Sequence, residues 1–335
     1  MRETIDEIVD IAGDYREDDG FDFSAEHVQR WVEQFDEGSR ASILNTVCSS
    51  LKETYFSKQS AKDFLANLPV QEKLVGGEPK EFWETANFLD IQGRGRSQRE
   101  MLAILGEELK KQFGFSFAEC GCEDGPYIYL DDGLFSGGHV IADLKKWLPD
   151  APTKAEIHVI TVALYSSGCY RAAQEIEREA KSLGKEIVLK FWRAVELENR
   201  LFKAASSNVY WPSSIPEKAL GYFDGFTHDL KLRPIGSYPR NKIFPDKDAR
   251  DVTEQAFLEH GVWIREQCPG LNKFQRPLGN SVLETPGFGA TFVTFRNCPN
   301  NAPLVYWAGD PWYPLFPRKT NTDTALLNAF EELWE

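Results

Sequence analysis

The residues best suited to chemistry in this sequence lie in one stretch, Leu130-Asp-Asp-Gly-Leu-Phe-Ser-Gly-Gly-His139. Two neighbouring carboxylates, Asp131 and Asp132, can bind a divalent cation or accept hydrogen bonds from a pair of sugar hydroxyls. Small residues ahead of a helix leave backbone N–H groups free to hold a phosphate, and Ser136, Gly137, Gly138 and His139 offer such a turn. One segment therefore carries both halves of a ribose-phosphate site. The plainer alternative is an ordinary Gly-rich strand-to-helix turn with an acidic lip.

A second anion cradle is legible upstream. Gln92-Gly-Arg-Gly-Arg-Ser97 is a Gly-rich loop in which Arg94 and Arg96 supply positive charge, with Gly93 and Gly95 between them and Ser97 ahead of a helix over Gln98–Leu109. Taken alone it also reads as an exposed basic loop.

These loops need strands and helices to aim them. Tyr127–Leu130 is β-branched or bulky and predicts a buried strand, with Val140–Trp147 apolar at helical spacing behind the turn. Phe88–Gln92 predicts a strand before the Arg-bearing loop. Glu156–Tyr165 is nearly continuous in apolar residues, as in a parallel strand buried on both faces. Tyr170–Leu183 follows as a helix and Glu186–Trp192 as a further strand. The alternation predicts an α/β fold, a doubly wound parallel sheet with ligands at the carboxyl ends of the strands. His158, inside a strand, reads as a satisfied core histidine.

Ahead of this core, residues 1–75 predict an N-terminal helical module, with Ser24 as an N-cap, an apolar stripe through Val28, Trp31, Val32 and Phe35, and His27 as a solvated helix residue. A Gly-Gly-Glu-Pro break at Gly76–Pro79 separates it from an α/β core over residues 80–200. Residues 201–335 are dense in Pro, Trp, Phe and Tyr and predict a rigid C-terminal cap that completes the core. Within it Asn297, Asn300, Asn301 and Arg318 are polar groups that the cap must satisfy or a ligand could use, and with Phe135 they are candidates for an acceptor side.

The sequence has 335 residues and a formal net charge of −14. That balance disfavours an extended nucleic-acid backbone face, which needs clustered Lys and Arg. No apolar run is long enough to span a bilayer and the first residues lack a signal-peptide core, so a cytoplasmic protein is expected. The six cysteines are scattered, and Cys120-Gly-Cys122 has poor spacing for zinc, so reduced and mostly buried thiols are expected.

The strand, the Asp-Asp pair, three variable residues, Ser-Gly-Gly and a helix resemble the phosphoribosyl-pyrophosphate (PRPP) loop of type I phosphoribosyltransferases. With Trp31-x-x-Gln-Phe35, Gly93-Arg-Gly-Arg-Ser-Gln98, Asn297-Cys-Pro-Asn-Asn301 and Trp312-Tyr-Pro-Leu-Phe-Pro-Arg318, most of the chain resembles the phosphoribosyltransferase-like effector family of bacterial conflict systems. The resemblance implies that Asp131 and Asp132 contact ribose hydroxyls and Mg2+ carried by PRPP, that Ser136–His139 hold the 5′-phosphate, and that Gln92–Ser97 hold the leaving pyrophosphate. It also implies a component of an antiphage defence locus, such as a retron, with protein partners from that locus, a nucleoprotein complex among them. Phe135 stands where purine-salvage enzymes often carry an Asp, which disfavours purine salvage. A non-catalytic sensor of phosphoribosyl compounds is the alternative function.

Overall fold

The computed structural model describes residues 1–93, 97–224, 226, 230–237, 243–283 and 285–318. Arg94, Gly95 and Arg96, expected at the centre of the pyrophosphate loop, lie outside the described residues. The chain divides into two compact units: Gln59–Glu198 is one, while Met1–Lys58 and the residues from Asn199 onward form the other.

The chain opens with α1 (Arg2–Ala12), α2 (Ala25–Val32) and α3 (Glu37–Thr54), followed by the short strand β1 (Tyr55–Phe56). Ser24 caps α2 as its position suggests, accepting from the His27 backbone N–H. The other unit then runs through α4 (Lys58–Asn67), α5 (Glu72–Val75), α6 (Pro79–Thr85), β2 (Asn87–Phe88), α7 (Ser97–Phe113), β3 (Tyr127–Leu134), α8 (Gly138–Trp147), β4 (Lys154–Tyr165), α9 (Ser166–Ser182) and β5 (Glu186–Leu197). The chain returns to the first unit with α10 (Leu220–Phe223), α11 (Lys247–Gln267), the hairpin pair β6 (Gln275–Arg276) and β7 (Gly279–Asn280), β8 (Val293–Thr294) and α12 (Leu304–Trp307).

The central unit carries a four-stranded parallel sheet in the order β2-β3-β4-β5. Its α/β class follows from the alternation of apolar runs and amphipathic helices. The strands lie in sequence order, however, so the reversal that defines a doubly wound sheet does not occur among the described strands. On one face Tyr129, Ile157 and Val159 pack with Val140, Ile141 and Leu144 of α8 and Ala172, Ile176 and Ala180 of α9. Side chains alternate along a strand, so His158 faces the other way. There it packs against Phe82 of α6 and Trp192 of β5, with its ring nitrogens at Glu156 (2.6 Å) and Trp192 (3.1 Å). It is the satisfied core histidine that its place in the strand suggests.

The other unit joins both parts of the chain through pairing that local composition does not encode. β1 lies parallel to β8, Tyr55 opposite Val293 and Phe56 opposite Thr294. Thr54 Oγ1 donates to Thr291 O at 2.9 Å. Trp31, Phe35, Tyr210, Phe257 and Tyr306 form one aromatic core. The division expected at Gly76–Pro79 thus falls inside the central unit, and residues 1–58 belong with the chain after Asn199. His27, expected to be solvated, is buried, with its ring nitrogens 2.7 Å from Tyr313 OH and 2.7 Å from Leu315 O.

Candidate functional site

The strand that carries the acid pair is longer than its apolar run. β3 continues to Leu134 because β4 stays in register with it, Asp131 opposite Thr161, Gly133 opposite Ala163 and Leu134 opposite Leu164. Asp131 and Asp132 are therefore consecutive strand residues and project to opposite faces, instead of standing side by side in a turn. Asp131 is 3% exposed on the face shared with Tyr129, and Asp132 is half-buried.

A buried carboxylate needs donors, and Asp131 has one from the start of α7 and one from its own strand. Ser97 Oγ, in the first residue of α7, donates at 2.5 Å, and the Asp132 backbone N–H at 2.9 Å. Gln92 Nε2 stands 3.4 Å from Oδ2, a long contact. Gln98 ties Ile91 and Gln92 to the start of α7: its Oε1 accepts from the Ile91 and Gln92 amides at 2.9 Å each, and its own N–H donates to Gln92 Oε1 at 3.2 Å. Gln98 is wholly buried and its Nε2 has no partner among the described residues. Gln92, Ser97 and Asp131 are thus brought together, and both ends of the Arg-bearing loop are tied at the sheet.

A further acid, not singled out from the sequence, joins this cluster. Asp143 of α8 is 8% exposed and accepts from Tyr129 OH at 2.8 Å and from the Gly93 amide at 3.1 Å. The signal was present: Asp143 stands on the inward face of α8 with Val140 and Leu144, where an apolar residue is the rule. Burial, then the carboxylates of Asp131 and Asp143, push the Tyr129 phenol far above its ordinary range. The phenol therefore stays protonated and always has a hydrogen to donate.

The Ser-Gly-Gly turn is held from beneath by α9. Gly137 adopts φ +75°, the left-handed region that suits glycine, and α8 starts at the next residue. The first amides of α8 have no acceptor within the helix. At Gly168, in the first turn of α9, an added Cβ would fall 1.8 Å from Phe135 O, and at Gly137 one would fall 2.6 Å from Gly168 O. Arg171 Nη1 donates to Ser136 O at 3.3 Å. The Phe135 ring stacks on buried Tyr165 at 5.2 Å and 25° and lies over Gly133, where a Cβ would meet it at 2.9 Å. Gly133 therefore makes room for the ring that pins the turn. His139 is exposed at the second position of α8.

The candidates after residue 296 lie in the other unit, and much of their polar capacity is taken by the fold. Asn301 Nδ2 donates to Asn280 O at 2.7 Å, and Asn300 O accepts from the Asn280 amide at 2.8 Å. The Asn297 amide donates to Thr294 O at 3.2 Å, while its buried Oδ1 has no partner among the described residues. Arg318 lies over the Trp307 ring, 5.0 Å from its centroid, and burial lowers its pKa. All six cysteines are free thiols, but only Cys48 and Cys298 are buried and Cys122 is exposed, so the expectation of mostly buried thiols does not hold. No described helix is long and apolar enough to cross a membrane.

Comparison with known proteins adds one match. No curated protein and no solved structure matches this chain. The model of the PRTase-CE family matches residues 28–318, which takes in the acid-bearing strand, both Gly-rich loops and most of the unit built from the two ends of the chain. On that extent, the chain belongs to the PRTase-CE family, a phosphoribosyltransferase-type family.

Proposed function

We propose that the carboxyl end of β3 binds PRPP and that the protein is a phosphoribosyltransferase-like effector acting at its anomeric carbon. The observation that carries this reading is the strand that bears Asp131, which runs directly into the Gly137–Gly138 turn and is hydrogen-bonded to Ser97 at the end of the Arg-bearing loop. In this reading the α8 N-terminus takes the 5′-phosphate, through free amides and the positive end of the helix dipole. Arg94 and Arg96 meet the pyrophosphate. Asp132, the more accessible of the two acids, meets the ribose hydroxyls directly. Asp131 steadies the developing positive charge on the ring while keeping Ser97 in place.

The reaction follows from that arrangement. An acceptor lone pair attacks C1 of the ribose, the bond to pyrophosphate breaks with its electrons going to the leaving oxygen, and the phosphates stay clamped throughout. Mg2+ enters as part of the substrate. Among the described residues no group of three or more His, Cys, Asp or Glu could hold a metal. The carboxylates at hand fit a hydrated ion that phosphate oxygens mostly coordinate.

Calorimetric titration of PRPP with Mg2+, followed by assay for released pyrophosphate, tests the reading. Asp131→Asn with Asp132→Asn should weaken binding by about 100-fold if two charged hydrogen bonds are lost. Full binding by a folded double variant would falsify the assignment. Binding without release would favour the non-catalytic sensor. The family resemblance extends the proposal to an antiphage defence locus and a partner protein from it. On that basis, expression of the activated protein should slow host growth, and the double variant should relieve the effect.

A further inference from the structure

Asp143 has two bonding partners on different segments, and neither segment is its own helix. Tyr129 OH comes from the middle of β3, and the Gly93 amide from the start of the loop whose next three residues include both arginines. Asp143 stands five residues after Gly138 in α8, so the two backbone positions are roughly 7.5 Å apart along the helix axis. One rigid helix therefore carries an anion-binding amide end and, a fixed distance away, the anchor of a second anion-binding loop. A two-ended anion such as PRPP has its phosphates at a separation set by the ribose between them. A protein that binds it gains from having the two receptors spaced before the ligand arrives.

We infer that Asp143 is a positioning residue that fixes the pyrophosphate-side loop, through the Gly93 amide, at a set distance from the phosphate turn of α8. This inference rests on the proposed PRPP site and assigns a role to a residue that touches no ligand. Tyr129 completes the device. As a permanently protonated donor, it holds one carboxylate oxygen so that the other faces Gly93. Ser97 ties the far end of the loop to Asp131, and Gln98 ties its two ends to each other through the Ile91 and Gln92 amides, so the Gly93 bond is what ties its near end to α8.

The two half-ligands distinguish this role from general support of the fold. Inorganic pyrophosphate with Mg2+, and ribose 5-phosphate, are each titrated calorimetrically into the full-length protein and into the Asp143→Asn and Tyr129→Phe variants. Asp143→Asn preserves side-chain volume, and Tyr129→Phe leaves the carboxylate in place, so at least one folded variant is expected. In Asp143→Asn, pyrophosphate affinity should fall by about tenfold or more, with ribose 5-phosphate affinity unchanged within about twofold. Tyr129→Phe should show the same selectivity with a smaller loss. Equal loss of both half-ligands, or loss of neither, would overturn the inference while leaving the site intact. Binding of ribose 5-phosphate but no pyrophosphate by the wild-type protein would also overturn it. Binding of neither by the wild type would remove the PRPP site itself, and this role with it.

Discussion

At the scale of single residues, the hydroxyl of Ser97 is the contact most open to a clean test. It was legible only as part of a Gly-Arg-rich loop ahead of a helix, where a serine usually caps. In the structure it donates to Asp131 at 2.5 Å. Hydrogen bonds to a charged, buried acceptor contribute about 1.5–3 kcal/mol, so Ser97→Ala should lower stability by that order in urea unfolding. The same change should weaken PRPP binding. A variant as stable as wild type would mean that water or another donor takes the place of the hydroxyl. The buried histidines give a second test, on the pH axis. Burial lowers the pKa of both His27 and His158. The unfolded chain takes up protons near about pH 6.5 while the folded imidazoles resist, so below that pH the unfolded state binds more protons. Their contribution to stability is therefore complete above about pH 6.5 and is lost as pH falls toward the folded values, at up to about 1.4 kcal/mol per pH unit for each ring. Urea unfolding at pH 7.5, 6.5 and 5.5 should show this decline, and His158→Gln should flatten part of it. An identical slope in the variant would show that His158 is not a source of the decline.

At the scale of elements, the position of the phosphate turn depends on how closely α9 approaches it. The Cβ of Gly168→Ala would need the space that Phe135 O occupies, 1.8 Å away, so helix or turn must move. Overpacking of this kind costs about 1–3 kcal/mol, and the shift falls on the residues proposed to hold the 5′-phosphate. Gly168→Ala should therefore lose ribose 5-phosphate affinity and thermal stability together, whereas Gly184→Ala, beyond the end of α9 with nothing near its Cβ but a φ of +68° that strains an alanine, should lose stability alone and leave binding unchanged. Retained affinity in Gly168→Ala would separate the turn from the ligand. These same elements explain what the sequence could and could not convey. The apolar run over β4 and the helices α8 and α9 were readable because burial on both faces, or along one stripe, leaves a local pattern. The reach of β3 through Asp131–Leu134 was not, because polar and glycine residues become strand there only through register with β4. The start of α9 at Ser166 was missed for a related reason: no loop separates it from β4, so small residues that resemble a turn are its first helical turn. Asp143 left a local mark, an acid in an apolar stripe, whose partners only the tertiary structure supplies.

At the scale of the whole molecule, the division into two compact units predicts how damage spreads. Trp31 of α2 is fully buried against Phe35, Phe257 and Tyr306, with ring centroids 5.2, 6.3 and 6.2 Å away. Its indole N–H donates to Val305 O at 2.8 Å, a carbonyl that also accepts from Trp312 Nε1 at 2.9 Å. In Trp31→Ala that carbonyl keeps one donor, so the loss is mainly of packing, about 3–5 kcal/mol for a buried aromatic. Because α2 shares its core with α11 and α12, the loss should appear far along the chain from the substitution. Hydrogen exchange followed by mass spectrometry should show faster exchange over Lys247–Gln267 and Leu304–Trp307 in the variant. Over Lys154–Tyr165, whose strand is buried in the other unit by α8 and α9, exchange should stay at the wild-type rate. Equal acceleration in both regions would mean that the chain opens as one cooperative body, with the two units sharing a single unfolding free energy. Selective acceleration would mean that residues from the two ends of the chain form a foldon of their own. The proposed PRPP site would then keep its geometry while that foldon opens, and the test is PRPP binding by Trp31→Ala under the conditions of selective exchange.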